Sequence, residues 1–300
     1  MTSLVRAEPR RLGSLPPVGP IAYGQWRYTT DDLAGAQGLI ETALDAGLNL
    51  IDTADVYGLD WGGTGFGEVE ELLGRVLNGA PGLRQRMVLA TKGGIRPPVP
   101  YDSSADGLRA ACEASLRRLQ VDVIDLYQVH RPDLFTHPAE VAATLSALRD
   151  EGKIAEVGVS NHTPAQTDAL RAHLPFPLVS TQPEYSALHL DPLRDGTLDA
   201  CMRYGITPLA WSPLAGGRLA TGRDVAPELL AELDRIAERE GVSRADVAVA
   251  FVLAHPSRPI AIIGTQNPER IRSSLRALDV TLDRQDVYAI VQAAEGVPLP

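Results

Sequence analysis

The sequence predicts an α/β fold, a closed (β/α)8 TIM barrel in a single domain spanning residues 1–300, on three observations. Eight short apolar runs alternate with amphipathic segments, the rhythm of strands joined by helical crossovers. The runs are evenly spaced, with no change of composition at a midpoint. Polar residues gather where the runs stop: Asp52, Lys92, His130, Ser160-Asn161, Gln182, Ser212 and Thr265. In a closed barrel those strand ends share one rim, where such folds keep their active sites. A doubly wound open sheet would collect them at one switch point instead.

Taken in order, the strand runs fall at 21–24, 50–54, 87–92, 123–130, 154–160, 178–182, 206–211 and 260–264. Helical periodicity occupies 31–46, 67–78, 104–119, 138–151, 164–173, 195–204, 228–240 and 243–254, then 268–277 and 283–294. Asp31, Ser243 and Asn267 suit N-caps, because a short polar side chain there can accept from a free first-turn amide. Pro138, Pro164 and Pro268 suit first turns, where the missing N–H costs nothing.

At 32.1 kDa and 44% hydrophobic residues the chain can bury a large core. Its net charge of −10 argues against nucleic acid and against an anionic membrane surface. The two cysteines, Cys112 and Cys201, stand far apart and form no C-x-x-C spacing, which fits a reduced cytoplasm. The first residues carry no apolar signal-peptide core, and no apolar stretch approaches a membrane span.

Gly62-Gly63-Thr64-Gly65-Phe66-Gly67 invites a dinucleotide-binding reading. The spacing fails, because G-x-G-x-x-G needs glycine where Thr64 or Glu68 stands. A rim loop before a helix is the better account.

The strand ends carry the chemistry. A phenol titrates near 10, so Tyr57 needs tuning to exchange a proton at neutral pH. Lys92 on the next strand could supply a cation that lowers that value, with Asp52 as its counter-charge. His130, one strand further, could donate to an oxygen developing negative charge. Together these suit proton transfer during carbonyl reduction. Singly, each has a plainer reading: a loop cap, a rim aromatic, a solvated cation, a core histidine. Asp52 and His130 are also metal-ligand types, but the other histidines are scattered and no H-x-H occurs, so no metal is expected.

The motifs resemble the aldo-keto reductases. The resemblance runs from Tyr23-Gly24 to about Leu278 and rests on Asn49-Leu-Ile-Asp52-Thr-Ala-Asp-Val-Tyr57-Gly58, Ala-Thr-Lys92-Gly, Asp-Leu-Tyr-Gln-Val-His130 and Gly158-Val-Ser-Asn161. Gln182-Pro-Glu-Tyr, Trp211-Ser-Pro-Leu-Ala-Gly-Gly217 and Ile263-Gly-Thr-Gln-Asn-Pro-Glu-Arg270 add to it. Val129-His-Arg-Pro-Asp133 and Leu198-Asp199 look most like the bacterial YdhF-like branch. The resemblance implies NAD(P)H-dependent reduction of an aldehyde or ketone. Tyr57 would protonate the carbonyl oxygen, tuned by Lys92 and Asp52, while His130 orients it.

For the cofactor, the resemblance implies that Ser160, Asn161 and Gln182 hold the nicotinamide carboxamide and that Trp211 underlies the ring. Ser212, Pro213, Leu214, Gly216 and Arg218 would take the pyrophosphate, with Ile263, Gly264 and Thr265 beside them. That position, after strands seven and eight, is the usual phosphate site of such barrels. Arg270 would meet a 2′-phosphate, favouring NADP (NADPH) over NAD. Two departures bear on this end: many members carry Lys where Gly264 stands, and Glu-Asn where Ser273-Ser274 stand.

The substrate pocket is expected to draw on Trp26, Trp61 and Arg96, with Gln25, Tyr101 and Arg131 nearby. The substrate is a small carbonyl compound that fold analogy cannot name. Nothing in the sequence bears on oligomeric state. Two other classes stay open: a nicotinamide-binding regulatory protein with little turnover, as channel-associated relatives imply, and a metal-dependent hydrolase.

Overall fold

Period-two alternation along each strand decides which side chains enter the barrel and which pack under its helices. The structure is a computed structural model describing residues 3–59 and 62–299. Its strands are β1 (Ile21–Gly24), β2 (Leu50–Asp52), β3 (Val88–Gly93), β4 (Ile124–Val129), β5 (Ile154–Ser160), β6 (Ser180–Gln182), β7 (Thr207–Ala210) and β8 (Ile260–Ile263). They are parallel, and β1 closes the barrel by pairing with both β2 and β8.

Leu50, Val88, Ala90, Leu126, Leu209, Ile260 and Ile262 fill the lumen, and Leu12, Leu15 and Val18 plug its lower end. Their outward neighbours Ile51, Leu89, Tyr127, Val157, Val159 and Ala261 belong to a larger core beneath the helices. Two residues beyond Leu50, Ala90 and Leu126 come Asp52, Lys92 and Gln128, with His130 two further on. The alternation that buries the aliphatics therefore brings these polar groups to the upper lumen. Gly158 is required here, because a Cβ would stand 2.0 Å from Ser180 Oγ on the neighbouring β6.

Helices α1 (Leu33–Asp45), α2 (Glu68–Gly79), α3 (Ala105–Leu119), α4 (Pro138–Asp150), α5 (Pro164–Arg171) and α6 (Thr197–Tyr204) supply the first crossovers. After β7 come the short α7 (Arg218–Thr221), then α8 (Pro227–Glu240) and α9 (Arg244–Leu253), with α10 (Pro268–Ser273) and α11 (Arg284–Glu295) after β8. Ser243 and Asn267 are N-caps and the three prolines open their helices, as expected. Asp31 is not a cap. Asp32 takes that place, because its carboxylate accepts from the Gly35 amide at 2.9 Å and the helix begins one residue later.

Two local features escape the periodicity: an antiparallel hairpin of Ile95–Arg96 with Val99–Tyr101, and α7 itself. The helix expected over 268–277 is α10 followed by a 3-10 turn, Ser274–Leu278. Cys112 and Cys201 are both buried and free. No described helix is long and apolar enough to cross a membrane.

Candidate active site

Beyond Asp52 the chain keeps following β3, the Thr53 and Asp55 amides donating to the carbonyls of Ala90 and Lys92. It then turns at Gly58, whose φ of +100° and close approach to Glu68 exclude a side chain. That path hangs Tyr57 over the lumen. Lys92 Nζ donates to Asp52 Oδ2 at 2.7 Å, to the Thr53 carbonyl at 2.8 Å and to the Tyr57 hydroxyl oxygen at 3.2 Å. Three acceptors exhaust the three N–H bonds of the ammonium. Because the Tyr57 oxygen accepts from Lys92, its own proton is free to be donated elsewhere.

Lys92 is fully buried and Asp52 nearly so, so each charge depends on the other. Burial works against the Lys92 charge, but Asp52 and Tyr57 outweigh it and hold its pKa above the ordinary lysine value. The expected lowering of the Tyr57 pKa is not what the structure gives. Burial raises it, and Lys92 opposes that shift without reversing it. Both groups therefore hold their protons at neutral pH: an ammonium beside a neutral phenol.

His130 follows β4 and meets the Tyr57 ring edge-on at 6.0 Å between centroids. Burial first, then the charges of Lys92 and Arg131, push its pKa well below the usual range, so it is neutral at pH 7. Its Nδ1 is buried with no hydrogen-bond partner among the described residues. A neutral imidazole can donate one hydrogen bond to a carbonyl oxygen.

Sequence reasoning gave Gln182 to the cofactor alone. Its Nε2 in fact donates to Asp52 Oδ1 at 2.9 Å across the lumen, so it also positions the carboxylate that pairs with Lys92. A second buried layer went unnoticed. Glu70 accepts from Arg118 Nε at 2.7 Å and from Thr91 Oγ1 at 2.5 Å. Beside them Asp55 is buried without a hydrogen-bond partner for either oxygen, and burial, then Glu70, raise its pKa well above the carboxylate range. The second aspartate of Asp52-Thr-Ala-Asp55 was the available signal.

Four of the cofactor candidates, Ser160, Asn161, Gln182 and Trp211, are joined by hydrogen bonds. Asn161, left-handed at φ 57°, donates from Nδ2 to Ser160 Oγ at 2.8 Å, and its Oδ1 accepts from Trp211 Nε1 at 3.0 Å. Ser160 Oγ donates to the Gln182 carbonyl at 3.1 Å. Gln25, at the end of β1, is fully buried with neither amide atom hydrogen-bonded. An unpaired buried amide costs about 1–3 kcal/mol. Asn161 and Ser160, joined at the end of β5, present the amide and hydroxyl types that suit a carboxamide, which needs both a donor and an acceptor.

Trp211 lies just beyond β7, in a bridge to Glu184. The following turn has left-handed backbone at Ser212, Ala215, Gly216 and Gly217, with Pro213 buried and Leu214 half-buried. Such turns gather amide N–H groups into an anion-binding concavity. Arg218 is exposed and donates to the Asp224 carbonyl. Ile263 ends β8 inside the core, while Gly264 and Thr265 are half-buried. Arg270 is exposed at the start of α10, its amide capped by Asn267 at 3.2 Å. Ser273 and Ser274 bond back to the carbonyls of Arg270 and Ile271. Gly264 is not sterically required, since a Cβ would find its nearest neighbour at 3.6 Å.

Among the pocket residues, Trp26 is 36% exposed, with the Arg27 guanidinium 5.7 Å from its ring. Trp61 lies outside the described residues. Arg96 sits on the hairpin and pairs with Asp102 at 3.0 Å. Arg131 is the cation whose charge reaches both Tyr57 and His130.

A model of the Aldo/keto reductase family matches residues 20–295. The chain is 50% identical, over 94% of both sequences, to a 6-dehydroglucose reductase of Novosphingobium aromaticivorans. It is 36% identical to the oxidoreductase YdhF of Escherichia coli, covering 96% of this chain and 98% of that one. Among solved structures it resembles a glycerol dehydrogenase from Gluconobacter oxydans, with a TM-score of 0.84, 30% identity and 97% of each chain covered. An aldo/keto reductase from Klebsiella pneumoniae, solved with NADP and acetate, gives a TM-score of 0.79 at 27% identity, covering 98% of this chain and 97% of that one.

Proposed function

The chain belongs to the aldo/keto reductase family, whose members carry out NAD(P)H-dependent carbonyl reduction, and on that premise we propose an NADPH-dependent reductase of a sugar aldehyde in which Tyr57 is the proton donor. The observation that carries the reading is the Lys92 ammonium donating at once to Asp52 and to the Tyr57 oxygen. It leaves the Tyr57 proton as the mobile one beside a fixed positive charge.

When bound, the nicotinamide supplies the hydride. The residues of this chain do the rest. His130 donates to the carbonyl oxygen and orients it toward Tyr57. Tyr57 gives that oxygen its proton, and Lys92 stabilises the phenolate left behind. Asp52, braced by Gln182, keeps Lys92 protonated and aimed. Ser160, Asn161 and Gln182 would hold the carboxamide beside Trp211, and the left-handed turn after β7 would receive the pyrophosphate. Arg270 supports NADP over NAD, as does the NADP-bound Klebsiella structure.

The 50% identical relative is named for 6-dehydroglucose, which supports an aldehyde on a polyhydroxylated ring as substrate. The buried Gln25 amide, Arg131 and the Trp26 ring would suit such a ligand. The deciding experiment titrates the protein with NADPH and NADH. It then follows NADPH oxidation with 6-dehydroglucose beside simple aliphatic and aromatic aldehydes. Tighter NADPH binding and preferred turnover of the sugar aldehyde are expected. Cofactor binding with no turnover of any carbonyl would replace this reading with a regulatory one.

A further inference from the structure

A cavity of about 770 Å³ opens on the flank of the barrel, between the N-terminal segment, the end of α9 and helix α11. That volume is ordinary for a small-molecule site. None of the catalytic or cofactor residues named above lines it.

Its floor is apolar and aromatic. Tyr185 and Phe251 stand 6.0 Å apart between ring centroids, and His255 meets Tyr185 edge-on at 6.5 Å. Tyr185 is 1% exposed, yet its hydroxyl makes no hydrogen bond to the described residues. Buried phenols usually find a partner, so this hydroxyl is a donor waiting at the cavity wall.

Its rim is cationic, in a chain whose net charge is −10. Arg6, Arg194, Arg258 and Arg284 all line the opening. Arg194 is matched by Glu295 at 2.8 Å, and Arg258 comes within 3.6 Å of Glu8. The guanidinium groups of Arg6 and Arg284 meet no carboxylate and make no hydrogen bond among the described residues. Behind the rim Arg10 is buried, its guanidinium bonded to the backbone carbonyls of Arg6, Glu8 and Arg258. Burial, then the nearby Arg258 charge, lowers its pKa to about 10. Two unmatched forks over an aromatic floor complement one kind of ligand.

We propose that this cavity binds an amphipathic organic anion, its apolar or aromatic body on Tyr185 and Phe251 and its carboxylate, sulfonate or phosphate head held by Arg6 and Arg284. The site is separate from the catalytic rim but shares an element with it. Tyr185 lies three residues after Gln182, and its amide donates to the Trp211 carbonyl at 3.3 Å.

The test uses 8-anilinonaphthalene-1-sulfonate as a fluorescent probe on the NADPH-saturated protein. Saturable one-to-one binding is expected, displaced by 4-phenylbutyrate and not by the uncharged 4-phenylbutanol. The double variant Arg6→Ala/Arg284→Ala should weaken the probe roughly tenfold, as loss of charge-assisted bonds implies. Both residues are exposed, so the fold should survive, and unchanged NADPH binding by the variant checks that. Equal affinity in the double variant, equal displacement by the alcohol, or displacement of the probe by raising NADPH would each overturn the proposal.

Discussion

The rim of the barrel has two unlike sides. Across β2, β3 and β4, Asp52, Lys92 and His130 are buried, and the first two are locked to each other and to backbone before any ligand arrives. After β7 and β8, the turn from Ser212 to Arg218, apart from the buried Pro213, and the start of α10 are exposed or half-buried, with side chains such as Arg270 facing water. The difference follows from solvation. A buried ammonium must have its counter-charge within the fold, because nothing else will stabilise it. A group that receives a soluble phosphate must keep its bonding capacity open. The proposed function therefore assigns chemistry to the first side and affinity to the second.

The largest expected effect lies on the first side. Tyr57→Phe should lower kcat for aldehyde reduction by about 10² to 10⁴ through loss of the general acid. Cofactor affinity, followed by fluorescence titration, should hold. A parallel fall in NADPH binding would erase the division between the two sides. Because burial raises the Tyr57 pKa, the acid form persists as pH climbs. The rate of reduction should stay level from neutral pH to about 10, the ordinary phenol value, and decline only above it. A pH–rate profile falling between 7 and 9 would contradict the assignment.

Lys92→Met should cost both rate and stability. It strands the Asp52 carboxylate in the lumen with only Gln182 bonded to it, a loss of about 3–5 kcal/mol readable in urea unfolding. On the second side, Arg270→Ala should raise KM for NADPH roughly tenfold, the scale of one charge-assisted bond, with kcat and KM for NADH little changed. A drop in kcat instead would mean that the two sides are coupled. Arg96→Ala should be the quietest change. Its pair with Asp102 is largely exposed, so stability should move by no more than about 1 kcal/mol and kcat not at all.

Much of this was legible in the chain. The eight strands, their helical crossovers and the placing of Asp52, Lys92 and His130 follow from apolar runs most of which stop at a polar residue. The Asp31 assignment failed because two adjacent aspartates compete for one cap, and only the backbone path decides between them. The hairpin that carries Arg96 stayed unseen because strands of two and three residues are too short to show a period. Asp55, Glu70 and Arg118 stayed hidden because a buried charged network looks like surface charge until packing encloses it.

By itself the sequence determined which residues face the lumen, since a two-residue period leaves Asp52, Lys92 and His130 no other side to occupy. Tertiary structure decided what those residues are. It turned the expected lowering of the Tyr57 pKa into a rise, because desolvation outweighs one neighbouring cation. It joined Gln182 to Asp52 across 130 positions of chain, and gathered unmatched arginines from both ends of the sequence around one cavity. Periodicity is a local property of the backbone and can be read along it. Burial and long-range pairing depend on what the closed barrel brings together.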